Sequence, residues 1–186
     1  QLVVYMNAAL EIMKQRYPDC EAVPAGIFYY HIDDPMVEED GTQEEEELQK
    51  KIFQKLKLSG VVNEDREVIN TLDTSMETES SINSSVIPVG VNKDGSLKKA
   101  SKTLSTKDFA ALSSYVNETI LHLGQRMMQG DIGISPYELA GKTGCDYCEF
   151  RGICHFDTKI PGFAFRRQTE LSEEELLCRM RGGEET

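Results

Sequence analysis

Three of the five cysteines in this 186-residue chain crowd into one short stretch, Cys145-x₂-Cys148-x₅-Cys154. A C-x₂-C pair points two thiolates at one centre from a single turn, and a third cysteine just beyond can close over the same centre. Two chemistries fit. In a [4Fe–4S] cluster each cysteine holds its own iron; in a structural zinc site four N or S ligands surround one ion. The set is one ligand short in either case. Within the chain the candidates for a fourth are Cys178, Cys20 and His155. His155 adjoins Cys154 and is badly placed for a separate corner. Cys178 shares the buried face of a tail helix with Leu176 and Leu177, and Cys20 sits at a helix-to-strand turn. The bland alternative is a set of reduced thiols with no metal.

Other residues carry weaker signals. Gln1 and Tyr5 are four apart and share one helix face. A glutamine can hydrogen-bond an active-site group, and a tyrosine can stack on or donate to a nucleic-acid backbone. The plain reading is a core tyrosine and a helix-end glutamine. Lys93, Lys98, Lys99, Lys102 and Lys107 form the one concentrated basic segment, which is either a solvated hairpin or a contact for a phosphate backbone. His31 and His122 read as strand-end and helix-face residues. No G-x-x-x-x-G-K-[ST] loop occurs, so no ATP site is expected, and no ordered Ser–His–Asp or Cys–His set is present.

The elements that must position these groups follow from periodicity. Leu2, Val3, Met6, Leu10 and Met13 repeat at helical spacing over 2–17, and Pro18 stops that helix. The run 22–32 is β-rich and nearly continuous in apolar character, which suits a buried strand. A turn at Asp40-Gly41 leads to a helix over 43–57 with Thr42 as N-cap, ended by Gly60. A small helix is expected around 64–72, a mobile polar loop over 73–85, a strand over 86–91 and a hairpin turn at Asn92-Lys93-Asp94-Gly95. Ser105 opens a long amphipathic helix with Phe109, Leu112, Val116, Ile120, Leu123 and Met127 on one stripe, closed by Gly130. Residues 132–139 are extended, the cysteine loop follows, and a short helix starts from Ser172. Helices alternating with strands make the class α/β.

Bulk properties narrow the function. A net charge of −12 argues against a stand-alone nucleic-acid binder, though it leaves room for a local DNA-facing strip. Much of the acid lies in Glu44–Glu47 and Glu173–Glu175, which read as solvated helix starts. The cysteine spacing is not that of a disulfide framework, and the expected setting is a reducing cytoplasm. No apolar run is long enough for a signal peptide or a membrane span. The chain opens inside an apolar-periodic segment without an initiator methionine and is expected to be a piece of a larger intracellular protein.

Taken in order, Gln1-x-x-x-Tyr5, the strand ending His31-Ile32-Asp33-Asp34-Pro35, Ile87-Pro88-Val89-Gly90, Lys93-Asp94-Gly95-Ser96-Leu97, Ile134-Ser135-Pro136-Tyr137 and the cysteine loop with Phe156-Asp157 resemble the C-terminal end of the AddB family. These are the nuclease-bearing second subunits of bacterial AddAB-type ATP-dependent helicase–nucleases. The resemblance covers nearly the whole chain. CRISPR-adaptation nucleases share the cysteine pattern and are the closest competing family.

The resemblance implies a fragment of a RecB-like PD-(D/E)XK nuclease fold: a mixed sheet flanked by helices, with a C-terminal cysteine-rich loop. Residues 1–140 would be the later part of the nuclease domain, 141–162 the iron–sulfur loop and 163–186 a peripheral tail. The parent would be a DNA exonuclease that processes double-strand DNA ends for recombinational repair together with an AddA-type subunit. Mg²⁺ would be held by an Asp and an Asp or Glu, with a Lys beside the attacking water. Those residues would lie upstream of Gln1, so the chain alone is expected to be inactive and Gln1 to be displaced. Gln1 and Tyr5 would be accessory active-site residues. Cys145, Cys148 and Cys154 would hold a [4Fe–4S] cluster with the fourth cysteine upstream, stapling the two ends of the domain without redox chemistry. The rival from another class is a non-catalytic zinc-binding interaction module.

Overall fold

The computed structural model describes residues 1–32, 34–37, 45–77 and 80–182. They form two compact units, Gln1–Val116 and Asn117–Thr186, and the expected α/β class holds in the described elements. No helix among the described residues is long and apolar enough to cross a membrane.

In the first unit, α1 (Leu2–Arg16) buries Met6 and ends where the Tyr17 N–H reaches back to the Met13 carbonyl at 2.8 Å, just before Pro18. The chain then enters β1 (Gly26–Tyr29). A three-stranded sheet has the order β1-β2-β5, with β2 at Ser59–Asn63 and β5 at Thr103–Leu104. β1 and β2 are antiparallel, with Gly26 opposite Val62, and β2 and β5 are parallel, with Val62 opposite Thr103. The sheet is therefore mixed, as expected. Val62, Ile69, Met76, Ile87, Val89 and Val91 make the core, with Phe28, Leu58, Leu72, Ile82 and Leu97 packed against it.

Asn63 ties this unit together. Its side chain is buried and fully engaged: Nδ2 donates to the Pro24 carbonyl at 2.9 Å and to Thr106 Oγ1 at 3.0 Å, and Oδ1 accepts from the Asp65 N–H at 3.0 Å. One amide thus fixes the entry to β1, the start of α3 (Arg66–Leu72) and the start of α4 (Thr106–Met128). A buried amide is tolerated because each of these polar atoms is satisfied.

Several expectations are corrected. The buried strand over 22–32 is a four-residue strand on the sheet edge, and Tyr29, Tyr30 and Ile32 are exposed at 64%, 56% and 89%. β1 has a strand partner on its β2 side alone among the described elements; an apolar run signals burial, but another layer must supply the cover. Gly60 does not end α2 (Glu45–Lys55); it lies inside β2 with φ +148°, and a Cβ there would collide with the Ile27 carbonyl oxygen. The glycine allows the close approach of β1 and β2. The expected N-cap Thr42 and the turn at Asp40-Gly41 lie outside the described residues, as does Asp33.

The stretch 73–85 is not an unstructured loop. It holds a 3₁₀ turn (Thr74–Met76) and β3 (Ile82–Asn83), with Met76 fully buried. Its short polar side chains satisfy the backbone: Asp73 accepts from the Ser75 N–H at 3.0 Å, and the Ser84 hydroxyl accepts from the Val86 and Ile87 N–H groups. Composition suggested disorder, but one apolar anchor and local Asx-type bonding order the segment. The strand over 86–91 shortens to β4 (Gly90–Val91), paired antiparallel with β3, because the N–H groups at 86 and 87 are already taken. The hairpin turn at 92–95 forms as expected, with the Asn92 N–H on the Ser96 carbonyl at 2.8 Å.

α4 starts where the spacing predicts. The Ser105 hydroxyl accepts from the Asp108 N–H at 3.1 Å and donates to Asp108 Oδ2 at 2.6 Å. Phe109 is fully buried, and the Ser113 hydroxyl reaches Asn7 of α1 at 2.5 Å. Farther along, Ile120, Leu123 and Met127 of the predicted stripe are exposed. Gly130, φ +77°, closes the helix.

The second unit is built on a small sheet of order β7-β6-β8, from β6 (Tyr137–Leu139), β7 (Lys142–Thr143) and β8 (Arg166–Gln168). β6 and β7 form a tight hairpin whose central residues, Ala140 and Gly141, both have positive φ, at 48° and 77°. That is the requirement of a type I′ turn. β8 runs parallel to β6, with Tyr137 opposite Arg166, so the sheet joins residues on both sides of the cysteine loop. α6 (Glu173–Met180) carries a full capping box between Ser172 and Glu175. Cys178 is exposed on α6 rather than buried.

Candidate functional site

The cysteine loop leaves β7 through a chain of tight turns. Asp146 accepts from the Thr143 N–H at 2.8 Å and from the Thr143 hydroxyl at 2.7 Å, and the Cys145 N–H donates to Thr143 Oγ1 at 3.2 Å. These bonds set the position of Cys145. The two Thr143 hydrogen bonds, with the Arg151 charge adding to them, hold the Asp146 carboxyl below the usual carboxylate range. The Cys148 N–H then turns back to the Cys145 carbonyl, and the Cys154 N–H to the Phe150 carbonyl at 2.9 Å. Cys154 ends the single turn α5 (Arg151–Cys154), and His155 follows in the left-handed region at φ 55°.

The outcome is one cavity of about 360 Å³ lined by Cys145, Cys148 and Cys154 together with Arg151, Asp157 and Phe165. The three thiols are partly buried and free of disulfides. Phe156 packs edge-on against both Phe163 and Phe165, with ring centroids 5.5 Å and 4.9 Å apart, and gives the cavity an apolar flank. Among the described residues no three His, Cys, Asp or Glu side chains converge closely enough to hold a single ion. A lone zinc draws its thiolates to within about 4 Å of one another, since each lies about 2.3 Å from the metal. A cluster spreads them, because each cysteine takes a different iron.

None of the in-chain candidates for a fourth ligand joins them. His155 and Cys178 do not line the cavity, and Cys20 is an exposed residue of the other unit. Sequence reasoning missed Arg151, Asp157 and Phe165 as cavity residues. Their signal was position alone: one inside the cysteine spacing, two shortly after it.

In the first unit Gln1 and Tyr5 share a face as expected. The Gln1 amide Nε2 donates to the Tyr5 hydroxyl at 2.8 Å. Tyr5 is 59% exposed, so it is no core residue. It lines an apolar groove of about 530 Å³ with Leu2, Met6, Leu10, Val23 and Phe28. His31 and His122 are exposed. Of the basic segment, Lys93, Lys99, Lys102 and Lys107 are exposed, whereas Lys98 is half-buried and bonds Asn83.

Residues 1–155 match the PD-(D/E)XK nuclease superfamily. The chain is also similar to proteins named as the B-type subunit of an ATP-dependent helicase/deoxyribonuclease. It is 37% identical over 181 residues to that of Lachnoclostridium phytofermentans, covering 95% of this chain and 15% of the relative. It is 39% identical over 176 residues to that of a Thermoanaerobacter species, with the same two shares. The Clostridioides difficile relative is 35% identical over 182 residues, 98% of this chain and 16% of the relative. The chain thus spans about a sixth of the length of these relatives.

Proposed function

The chain belongs to the PD-(D/E)XK nuclease superfamily, and from that premise we propose that it forms the C-terminal part of a RecB-like nuclease domain in an ATP-dependent helicase–nuclease subunit. The parent degrades and processes double-strand DNA ends for recombinational repair in the cytoplasm, alongside an AddA-type subunit. The segments are 1–140 for the nuclease portion, 141–162 for the cluster loop and 163–186 for the tail. The observation that carries this reading is the single cavity lined by Cys145, Cys148 and Cys154.

Cys145, Cys148 and Cys154 are the ligands this chain offers to a [4Fe–4S] cluster, and the fourth comes from upstream sequence. When bound, the cluster supplies a cross-link rather than electron transfer. Arg151 on the same cavity offsets negative charge there, and the Phe156–Phe163–Phe165 contacts keep water from one side.

Mg²⁺ bound by upstream carboxylates supplies the Lewis acid for phosphodiester hydrolysis. What this chain adds is orientation. The Gln1 amide donates to the Tyr5 oxygen, so the phenol's own proton points away from Gln1 and can be donated to a phosphate oxygen or to water. The apolar groove beside Tyr5 and the open edge of β1 are where the earlier strands of the domain seat.

The test is cleavage of linear duplex DNA by the intact protein with its helicase partner, with and without Mg²⁺. Mg²⁺-dependent loss of DNA from ends supports the reading. Absence of cleavage, with stoichiometric zinc bound, overturns it in favour of a zinc-binding interaction module.

A further inference from the structure

A second cavity, in the first unit, encloses about 530 Å³ and has no acidic residue among its described lining. Two half-buried lysines face it, Lys57 and Lys98, with Gln54, Asn83, Ser85 and Ser101. On a chain of net charge −12, a recess lined by two ammonium groups and polar neutral side chains stands apart from its surroundings. We propose that this recess binds a phosphate group of a nucleic-acid strand, with Lys57 and Lys98 as the paired cations. The proposal rests on the nuclease reading for the nature of the strand but uses none of the cysteine or Gln1–Tyr5 residues.

The construction of the recess supports it. Lys57 stands in the short link between α2 and β2, held where the next residue, Leu58, donates its N–H to the Val86 carbonyl at 3.0 Å. Lys98 arrives from the hairpin, its N–H bonded to the Gly90 carbonyl at 2.9 Å. Its Nζ donates to Asn83 Oδ1 at 3.0 Å, which uses one of three donors and fixes the side chain over the recess. Gly90 leaves room for the Asn83 and Lys98 side chains in this arrangement. A Cβ there would collide with Asn83 Oδ1 and come within 2.9 Å of Lys98 Cδ. The Ser101 hydroxyl is bonded to the backbone of Gly90 at 3.0 Å, which pins the opposite wall.

Electrostatics agree with the geometry. Burial pulls the Lys57 ammonium below its ordinary value, and the Asp73 charge opposes that pull. The Asp73 carboxylate is itself engaged by Ser75 and Ser84. An arriving phosphate gives the partly desolvated ammonium a second counter-charge. Phosphate contacts of this kind position a strand without reading its sequence.

The experiment compares the intact protein with its K98Q, K57Q/K98Q, K57R/K98R and K93Q/K99Q variants. Binding of a fluorescein-labelled single-stranded oligonucleotide is titrated across NaCl concentrations, with inorganic phosphate as competitor in a parallel arm. Each phosphate contact contributes about 0.7 to the slope of log K against log[salt] for single strands. K57Q/K98Q is expected to flatten the slope by about 0.7, the share of the one phosphate held, and K98Q by part of that. K57R/K98R keeps the slope, and K93Q/K99Q, on the exposed hairpin, changes it by less than either lysine of the recess. Should the double variant fail to fold, K98Q alone decides. An unchanged slope with Mg²⁺-dependent cleavage retained overturns the site while the nuclease reading stands, including the case in which inorganic phosphate alone responds to the substitutions. No salt-dependent binding by the wild-type protein overturns the site, and absence of Mg²⁺-dependent cleavage of linear duplex DNA overturns the nuclease reading on which it rests.

Discussion

The Gln1 amide donates to the Tyr5 hydroxyl at 2.8 Å across one turn of α1. The pair sits on an exposed face beside an apolar groove, so the bond orients the phenol and does little for packing. Tyr5→Phe is therefore expected to leave thermal stability within about 0.5 kcal/mol while lowering Mg²⁺-dependent cleavage by the intact protein roughly tenfold, the size of one lost hydrogen bond in the transition state. Cleavage kinetics and a melting curve on the same preparation check both halves.

Gly60 has φ +148° directly against the Ile27 carbonyl. Gly60→Ala meets a strained backbone and a backbone clash together, neither of which a rotamer change relieves. The expected cost is on the order of 3 kcal/mol or more, read as a drop in the denaturant midpoint with the slope unchanged.

Ala140 holds a left-handed conformation at φ 48° in the β6–β7 turn. A type I′ turn favours Asn or Gly at that position. Ala140→Gly is expected to stabilise the second unit by about 1 kcal/mol, the usual penalty for a non-glycine residue in this region. A rise in protection of the 137–143 amides from hydrogen exchange would confirm it, and a loss would contradict it.

Asp73 couples to pH. Burial pushes its carboxyl up, but the hydrogen bonds from Ser75 and Ser84, with the Lys57 charge, outweigh that and leave it below the ordinary carboxylate range. A carboxyl whose folded value is depressed contributes stability that is present above its unfolded value, near pH 3.9, and is lost as pH falls through the folded value. Asp73→Asn is therefore expected to destabilise the protein at pH 7, with the difference from wild type shrinking below about pH 4. Ser84→Ala, which orphans two backbone N–H groups and one Asp73 oxygen, is expected to cost about 2–3 kcal/mol at neutral pH. Denaturant unfolding at pH 7 and pH 3 separates the two contributions.

How much of this was legible in the sequence depended on range. Local signals carried well: the Pro18 stop, the Ser105 and Ser172 caps, the hairpin turn at 92–95 and the Gly130 close all act within a few residues. Features set by distant partners did not. The apolar run 22–32 looked like a buried strand because composition records what a segment can bury, not whether a layer covers it. Gly60 looked like a helix stop because its real constraint is the Ile27 carbonyl of another strand. The segment 73–85 looked disordered because one buried methionine is invisible against so many polar residues. The cysteine spacing was visible from the start, but Asp157 and Phe165 reach the cavity through the return to β8, which no spacing rule encodes.

The most direct test of the central claim is metal analysis of the intact protein purified without oxygen. The expected result is a brown protein with iron and sulfide at about four each per chain, and Cys148→Ser is expected to lose both along with thermal stability. A colourless protein carrying one zinc and no sulfide, with Cys148→Ser unchanged in stability and DNA-end binding, would contradict it.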